Sequence, residues 1–149
     1  IKEYHMSDLV QNKNDITRRQ AREQAFSLIF TKMFQPDCTF DEIIASSFDA
    51  DEVQIDDFAK SEATGVYEHI DEIDSLIVKY LTGWTLKRIP KTALAVLRLA
   101  VYEIEYNDSI PDSVAVNEAV ELAKKFCGDD DPAFVNGVLG SHIRAKKAE

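Results

Sequence analysis

The sequence predicts an all-α fold, a compact antiparallel bundle of about seven helices. Three observations carry that expectation. The 149 residues include only five Gly and four Pro. No segment alternates apolar and polar residues for long, as a half-buried strand requires. Apolar residues instead recur at helical spacing over most of the chain, separated by short polar links. A chain of this length buries roughly 70% of its extended surface, enough for one domain without disulfide or metal staples.

The elements follow in order. Residues 1–14 are polar and aperiodic and read as a loose tail. The pair His5–Met6 reads as a cloning junction ahead of a start at Met6, so residues 1–5 carry no functional argument. Residues 15–149 are expected to form one helical domain. Its first helix opens on a capping box, Thr17 with Gln20, and runs to about Gln35, where Pro36 stops it. Its core stripe is Ala21, Ala25, Leu28 and Ile29, with Phe26 and Met33 at one margin. A second box, Thr39 with Glu42, opens a short helix to about residue 48. Apolar residues at 59, 63, 66, 70, 73, 77 and 81 predict one long helix, or two joined ones, from residue 56 to about 81.

The segment KTALAVLRLAVYEI, residues 91–104, is apolar nearly all round, the mark of a helix buried on most sides. Ser113 is the expected cap of the next helix, whose Lys124 and Lys125 suit the negative end of its dipole. Asp131 as cap and Pro132 at the first helical position open the last. Gly137 within that helix costs about 1 kcal/mol against Ala, so a close backbone contact is expected there.

Composition narrows the function. With 45% hydrophobic and 30% charged residues the chain is that of a soluble globular protein. No run of 18 apolar residues suggests a membrane span, and the opening residues lack a secretion-signal pattern, so a cytoplasmic location is expected. Cys38 and Cys127 are expected as free thiols in a reducing compartment. His5, His69 and His142 are scattered without a second ligand at i+3 or i+4, so neither a metal nor another cofactor is expected. No glycine-rich phosphate loop, G-x-S-x-G elbow or H-E-x-x-H helix appears, which argues against an enzyme. The carboxylates of residues 37–74 read as a solvated helix face. Arg98, within the apolar helix, is expected to form a structural ion pair with Glu118 or Glu103; a ligand-binding role is the alternative.

The net charge of -10 is unevenly spread. Residues 1–36 carry six Lys and Arg against four acids, residues 37–74 one against thirteen, and residues 75–149 ten of each. Within the first segment Arg18, Arg19 and Arg22 fall in the first two turns of a helix. Each cation there costs up to about 0.3–1 kcal/mol against the helix dipole. Arg19 and Arg22 lie on the edge of the core stripe, with Phe26 and then Phe30 further along it. Phe30 sits about 140° from the stripe's centre, outside the obvious core. Guanidinium forks beside a ring suit single-stranded nucleic acid, the forks for phosphates and the ring for a base. A solvated basic face, partly paired through Glu23, fits the same residues.

Four motifs add a family. RRQAREQAF (residues 18–26), AVLRLAVYEI (95–104), IPDSVAVNEAVELAKKF (110–126) and FVNGVL (134–139), in this order and spacing, resemble the NusB family of bacterial transcription antitermination factors. The resemblance spans about residues 17–140; the acidic middle matches in length and helical character only. It implies two small helical sub-bundles and binding to the boxA element of nascent ribosomal RNA. A ribosomal small-subunit protein would bind with it, and other Nus factors and RNA polymerase would engage indirectly. The family's RNA-binding helix falls on Arg18, Arg19 and Arg22, and Phe30 stands where the family has an RNA-contacting tyrosine. The ring is kept and the hydroxyl lost. Residues 131–134 resemble the surface near the RNA and the ribosomal partner, which makes Asp131 and Phe134 the expected partner contacts. A homodimer covering the RNA face stays open. The alternatives are the N-terminal RNA-binding domain of a ribosomal RNA cytosine methyltransferase, or a protein-only interaction module. The first would need a following cofactor-binding domain with glycine-rich strand-to-helix turns.

Overall fold

The computed structural model describes residues 16–47 and 54–149; the expected tail, residues 1–14, lies outside them. Among the described residues there are seven α-helices and no strand. They are α1 (Arg18–Phe34), α2 (Phe40–Ser47), α3 (Asp57–Glu68), α4 (Ile70–Lys79), α5 (Lys91–Tyr106), α6 (Asp112–Phe126) and α7 (Asp131–Ala148). A single 3-10 turn, Leu86–Arg88, precedes α5. The chain divides into two compact units, with the boundary between Thr64 and Gly65, inside α3.

In the first unit both capping boxes form. Thr17 N–H donates to Gln20 Oε1 at 2.8 Å, and Gln20 N–H donates to Thr17 Oγ1 at 3.0 Å. At α2, Thr39 N–H donates to Glu42 Oε1 at 3.0 Å and Glu42 N–H to Thr39 Oγ1 at 3.1 Å. Each pair satisfies two of the donors that a helix start leaves without a partner. The stripe Ala21, Ala25, Leu28 and Ile29 is buried, as its spacing predicts, along with Ile43 of α2 and Ala59 and Ala63 of α3. Helix α1 packs on α2. Gln24 ties the approach to α3 onto α1: its amide donates to the Gln54 carbonyl at 3.3 Å, and its carbonyl accepts from Asp56 N–H at 2.8 Å. Asp56 then caps α3, accepting the Phe58 N–H at 3.0 Å.

The second unit is built around α5, which packs on α4, α6 and α7. Leu97 and Val96 are fully buried, as the all-round apolar pattern requires. The long periodic stretch resolves into two helices. His69, at φ -116° and ψ 23°, separates α3 from α4, and its N–H is shared between the Gly65 and Val66 carbonyls at 3.2 and 3.3 Å. Gly65 sits where Tyr102 closes on the helix: a Cβ there would stand 2.3 Å from the ring. Tyr102 cannot easily yield, being stacked toward both His69 and Tyr106.

Four local expectations are corrected. Arg98 pairs with neither Glu118 nor Glu103. Its Nε and Nη2 each donate to Asp74 of α4 at 2.9 Å, a bidentate pair that joins α5 to α4. Burial raises the nearby Tyr67 phenol, and the Arg98 charge opposes that rise. Ser113 is not the cap of α6. Pro111 occupies that place, with its preset φ of -60°, and accepts from the Val114 and Ala115 amides. The cap of α7 is Asp130 rather than Asp131, which leaves the Asp131 carboxylate to accept the Gly128 N–H at 2.9 Å. Gly137 meets no close backbone; a Cβ there would find nothing within 4 Å. Near the other end of α7, His142 is buried with Nε2 2.7 Å from the Glu105 carboxylate. Lys146 donates to the Ile104 carbonyl at 3.0 Å, satisfying an acceptor near the end of α5.

Candidate nucleic-acid interface

The first turn of α1 contains no acidic residue. Arg18 and Arg19 are exposed there, whereas Arg22, one turn on, is only 4% exposed. The cluster is thus layered. Arg18 and Arg19 can present N–H groups to an anion in water, and Arg22 lies behind them as a buried positive charge.

Arg18, Arg22, Phe26, Phe30 and Phe34 are spaced by four along α1, which sets them in one slowly drifting row on its surface. The row passes from cations to rings. Phe26 and Phe30 lie nearly parallel, centroids 6.0 Å apart at 14°, and Phe34 meets Phe30 edge-on at 5.1 Å and 69°. Phe30 is half-buried, in keeping with its place off the core stripe, and Phe34 is 57% exposed. A row with guanidiniums at one end and an accessible ring at the other can hold a phosphate and stack a base on one helix.

Sequence reasoning missed Phe58. Its ring lies under both arginines of the row, with the Cζ of Arg18 3.9 Å and that of Arg22 5.6 Å from its centroid. Nothing in the sequence pairs a residue in the first turn of α3 with arginines some forty positions earlier; only its place just after a capping Asp marks it.

Asp131 and Phe134 belong to the second unit, in the first turn of α7. Asp131 closes the turn before α7 through Gly128. The Phe134 ring is tilted at 54° against Trp84, centroids 5.9 Å apart, and Trp84 is 49% exposed. Trp84 follows Gly83, whose φ of 73° makes the sharp turn that carries the indole outward. That Gly-Trp pair in a polar link was a legible signal for an exposed aromatic. Cys38 and Cys127 are free. Among the described residues no group of His, Cys, Asp or Glu could hold a metal ion, and no helix is long and apolar enough to cross a membrane.

Comparison with known proteins adds the family. The NusB family model matches residues 19–144. The chain is 44% identical over 128 residues to the transcription antitermination protein NusB of Levilactobacillus brevis, covering 83% of this chain and 90% of that protein. It is 41% identical over 131 residues to the NusB of Acetivibrio thermocellus, covering 87% and 90%. Among solved structures, NusB of T. maritima is similar with a TM-score of 0.77 and 32% identity over 87% of this chain and 92% of that one. A crystal structure of antitermination factors NusB and NusE in complex with dsRNA contains a chain with a TM-score of 0.75 and 27% identity, over 86% and 96%. The chain therefore belongs to the NusB family of transcription antitermination proteins.

Proposed function

We propose that this chain serves antitermination by binding boxA-type single-stranded RNA at the start of α1, together with a ribosomal small-subunit protein. The observation that carries the reading is the exposed pair Arg18 and Arg19 at a helix start with no acidic residue in its first turn. Stability alone would favour Asp or Glu in those positions. A polyanionic ligand removes the conflict, because each guanidinium then meets phosphate oxygens in a planar fork. Phe30 offers a stacking face to a base, and Arg22 adds positive potential from behind. Trp84 and Phe134 offer the aromatic anchor that a protein partner needs. The similarity to a NusB solved with NusE and dsRNA supports an RNA ligand and a protein partner, and leaves the single-stranded preference to rest on the arginines and Phe30.

On this reading the protein is a cytoplasmic binding factor and not a catalyst. The chain covers 90% of the length of the L. brevis relative, a transcription antitermination protein rather than a methyltransferase. The acidic segment, residues 37–74, repels RNA elsewhere on the surface and so limits indiscriminate binding.

A gel-shift series tests the proposal, comparing boxA-like RNA, its scrambled sequence and the corresponding duplex, each with and without the ribosomal partner. The single-stranded boxA-like RNA should shift at the lowest protein concentration, and the partner should lower that concentration further. Equal shifts for boxA-like and scrambled RNA, or no shift in any lane, would contradict it. Tighter binding of the duplex would remove the stacking role of Phe30.

A further inference from the structure

We infer that Phe58 is a positioning residue that holds the exposed Arg18 in a phosphate-ready arrangement, with the buried Arg22 drawn to the same ring, an inference that rests on the RNA-binding reading above. Two guanidiniums approach one ring, at 3.9 and 5.6 Å from its centroid. Two like charges on adjacent turns of a helix repel each other, and here both are drawn toward the negative face of the same π-system. The geometry suits arginine in particular. A Cζ-to-centroid distance of 3.9 Å is close to the spacing of stacked planes. A guanidinium stacked through its face keeps its N–H groups around the edge, where phosphate oxygens can accept them. A face-on contact at this distance would use the part of Arg18 that RNA does not need.

The ring is itself held in place. Its backbone N–H is fixed by the Asp56 carboxylate, and the Gln24 side chain fastens Gln54 and Asp56 to α1. Helix α1 therefore carries both the arginines and the clamp that seats the ring beneath them. An arginine free in solution must surrender its rotamer freedom on binding, and one already stacked has surrendered most of it. Arg18 is exposed and Arg22 buried, so the ring supports one cation at the surface and one behind it.

The test uses the full chain and a fluorescein-labelled single-stranded boxA-like RNA, read by anisotropy at a temperature where melting curves show every variant folded. Phe58→Leu keeps apolar bulk and removes the π-face; it should weaken RNA binding about three- to tenfold. Phe58→Tyr should restore affinity to within about twofold, which mere packing bulk cannot explain, because leucine also supplies bulk. In an Arg18→Ala background Phe58→Leu should cost no more than about twofold, since most of what it supports is gone. An unchanged affinity for Phe58→Leu, or the same loss with and without Arg18, would overturn the inference. If Arg19→Ala weakens binding while Phe58→Leu does not, the positioning role fails and the RNA reading stands. If the wild-type chain binds no RNA, both fall together.

Discussion

Arg18 and Arg22 stand one helical turn apart on α1, and water reaches the first but hardly the second. That difference separates two consequences of removing them. A buried guanidinium is tolerated only where the protein satisfies it, so Arg22→Ala leaves its partners stranded. The variant should lose about 1–3 kcal/mol of stability in urea melts, more than the helix dipole could return. A stable or stabilised Arg22→Ala would show that the side chain is a solvated cation after all. From the sequence alone Arg22 reads as a phosphate-binding residue on a par with Arg18 and Arg19, because helical spacing gives direction and not depth. Arg98 teaches the same lesson. Its apolar setting announced an ion pair, but the carboxylate came from Asp74, on a helix whose packing against α5 no local pattern reveals. Phe58 was silent for that reason too.

At the scale of elements, the helix starts with side-chain caps were the most legible features, because a capping box is a local rule and needs no tertiary partner. The Thr39–Glu42 box makes a sharp prediction. Hydrogen bonds from the Thr39 backbone and hydroxyl hold the Glu42 carboxyl below its ordinary value of 4.5. A carboxyl lowered in the folded state contributes stability above its unfolded value, and that contribution is lost as pH falls through the lower, folded one. The Thr39 amide resonance should therefore titrate with a midpoint below 4.5, and Glu42→Gln should abolish that titration while α2 persists. A midpoint at or above 4.5 would mean the box is open in solution. The α6 and α7 starts were less legible, since Pro-led and Asp-Asp-Asp openings allow neighbouring frames. The division at His69 was not decided by the sequence, because neither Gly nor Pro marks it and the apolar period runs through unbroken. Gly137 misled, as its freedom answers no close contact among the described residues.

For the whole molecule, a helical fold was readable because periodicity, scarce Gly and Pro, and one all-apolar helix agree, and agreement across levels is what specifies a fold. The chain's two compact units were expected only through the family resemblance, since the boundary falls inside α3 and leaves no linker to read. Function was harder to read from residues alone. An acidic protein hides its basic face in the average, and the arginines fitted a solvated surface as well as a binding one. The structure adds a ring beneath Arg18, a buried charge behind it and an aromatic row beyond.

Whether those arginines meet phosphates is measured most directly by the salt dependence of RNA binding. For single-stranded RNA, each phosphate neutralised adds about 0.7 to the steepness of log affinity against log salt. The Arg18→Ala, Arg19→Ala double variant should bind boxA-like RNA more weakly, with a slope shallower than wild type by about 1.4. Phe30→Ala should differ in kind, losing about 1–3 kcal/mol of stacking with its slope nearly unchanged. A folded double variant that keeps both the wild-type affinity and the wild-type slope would contradict the account, and the RNA would have to bind elsewhere.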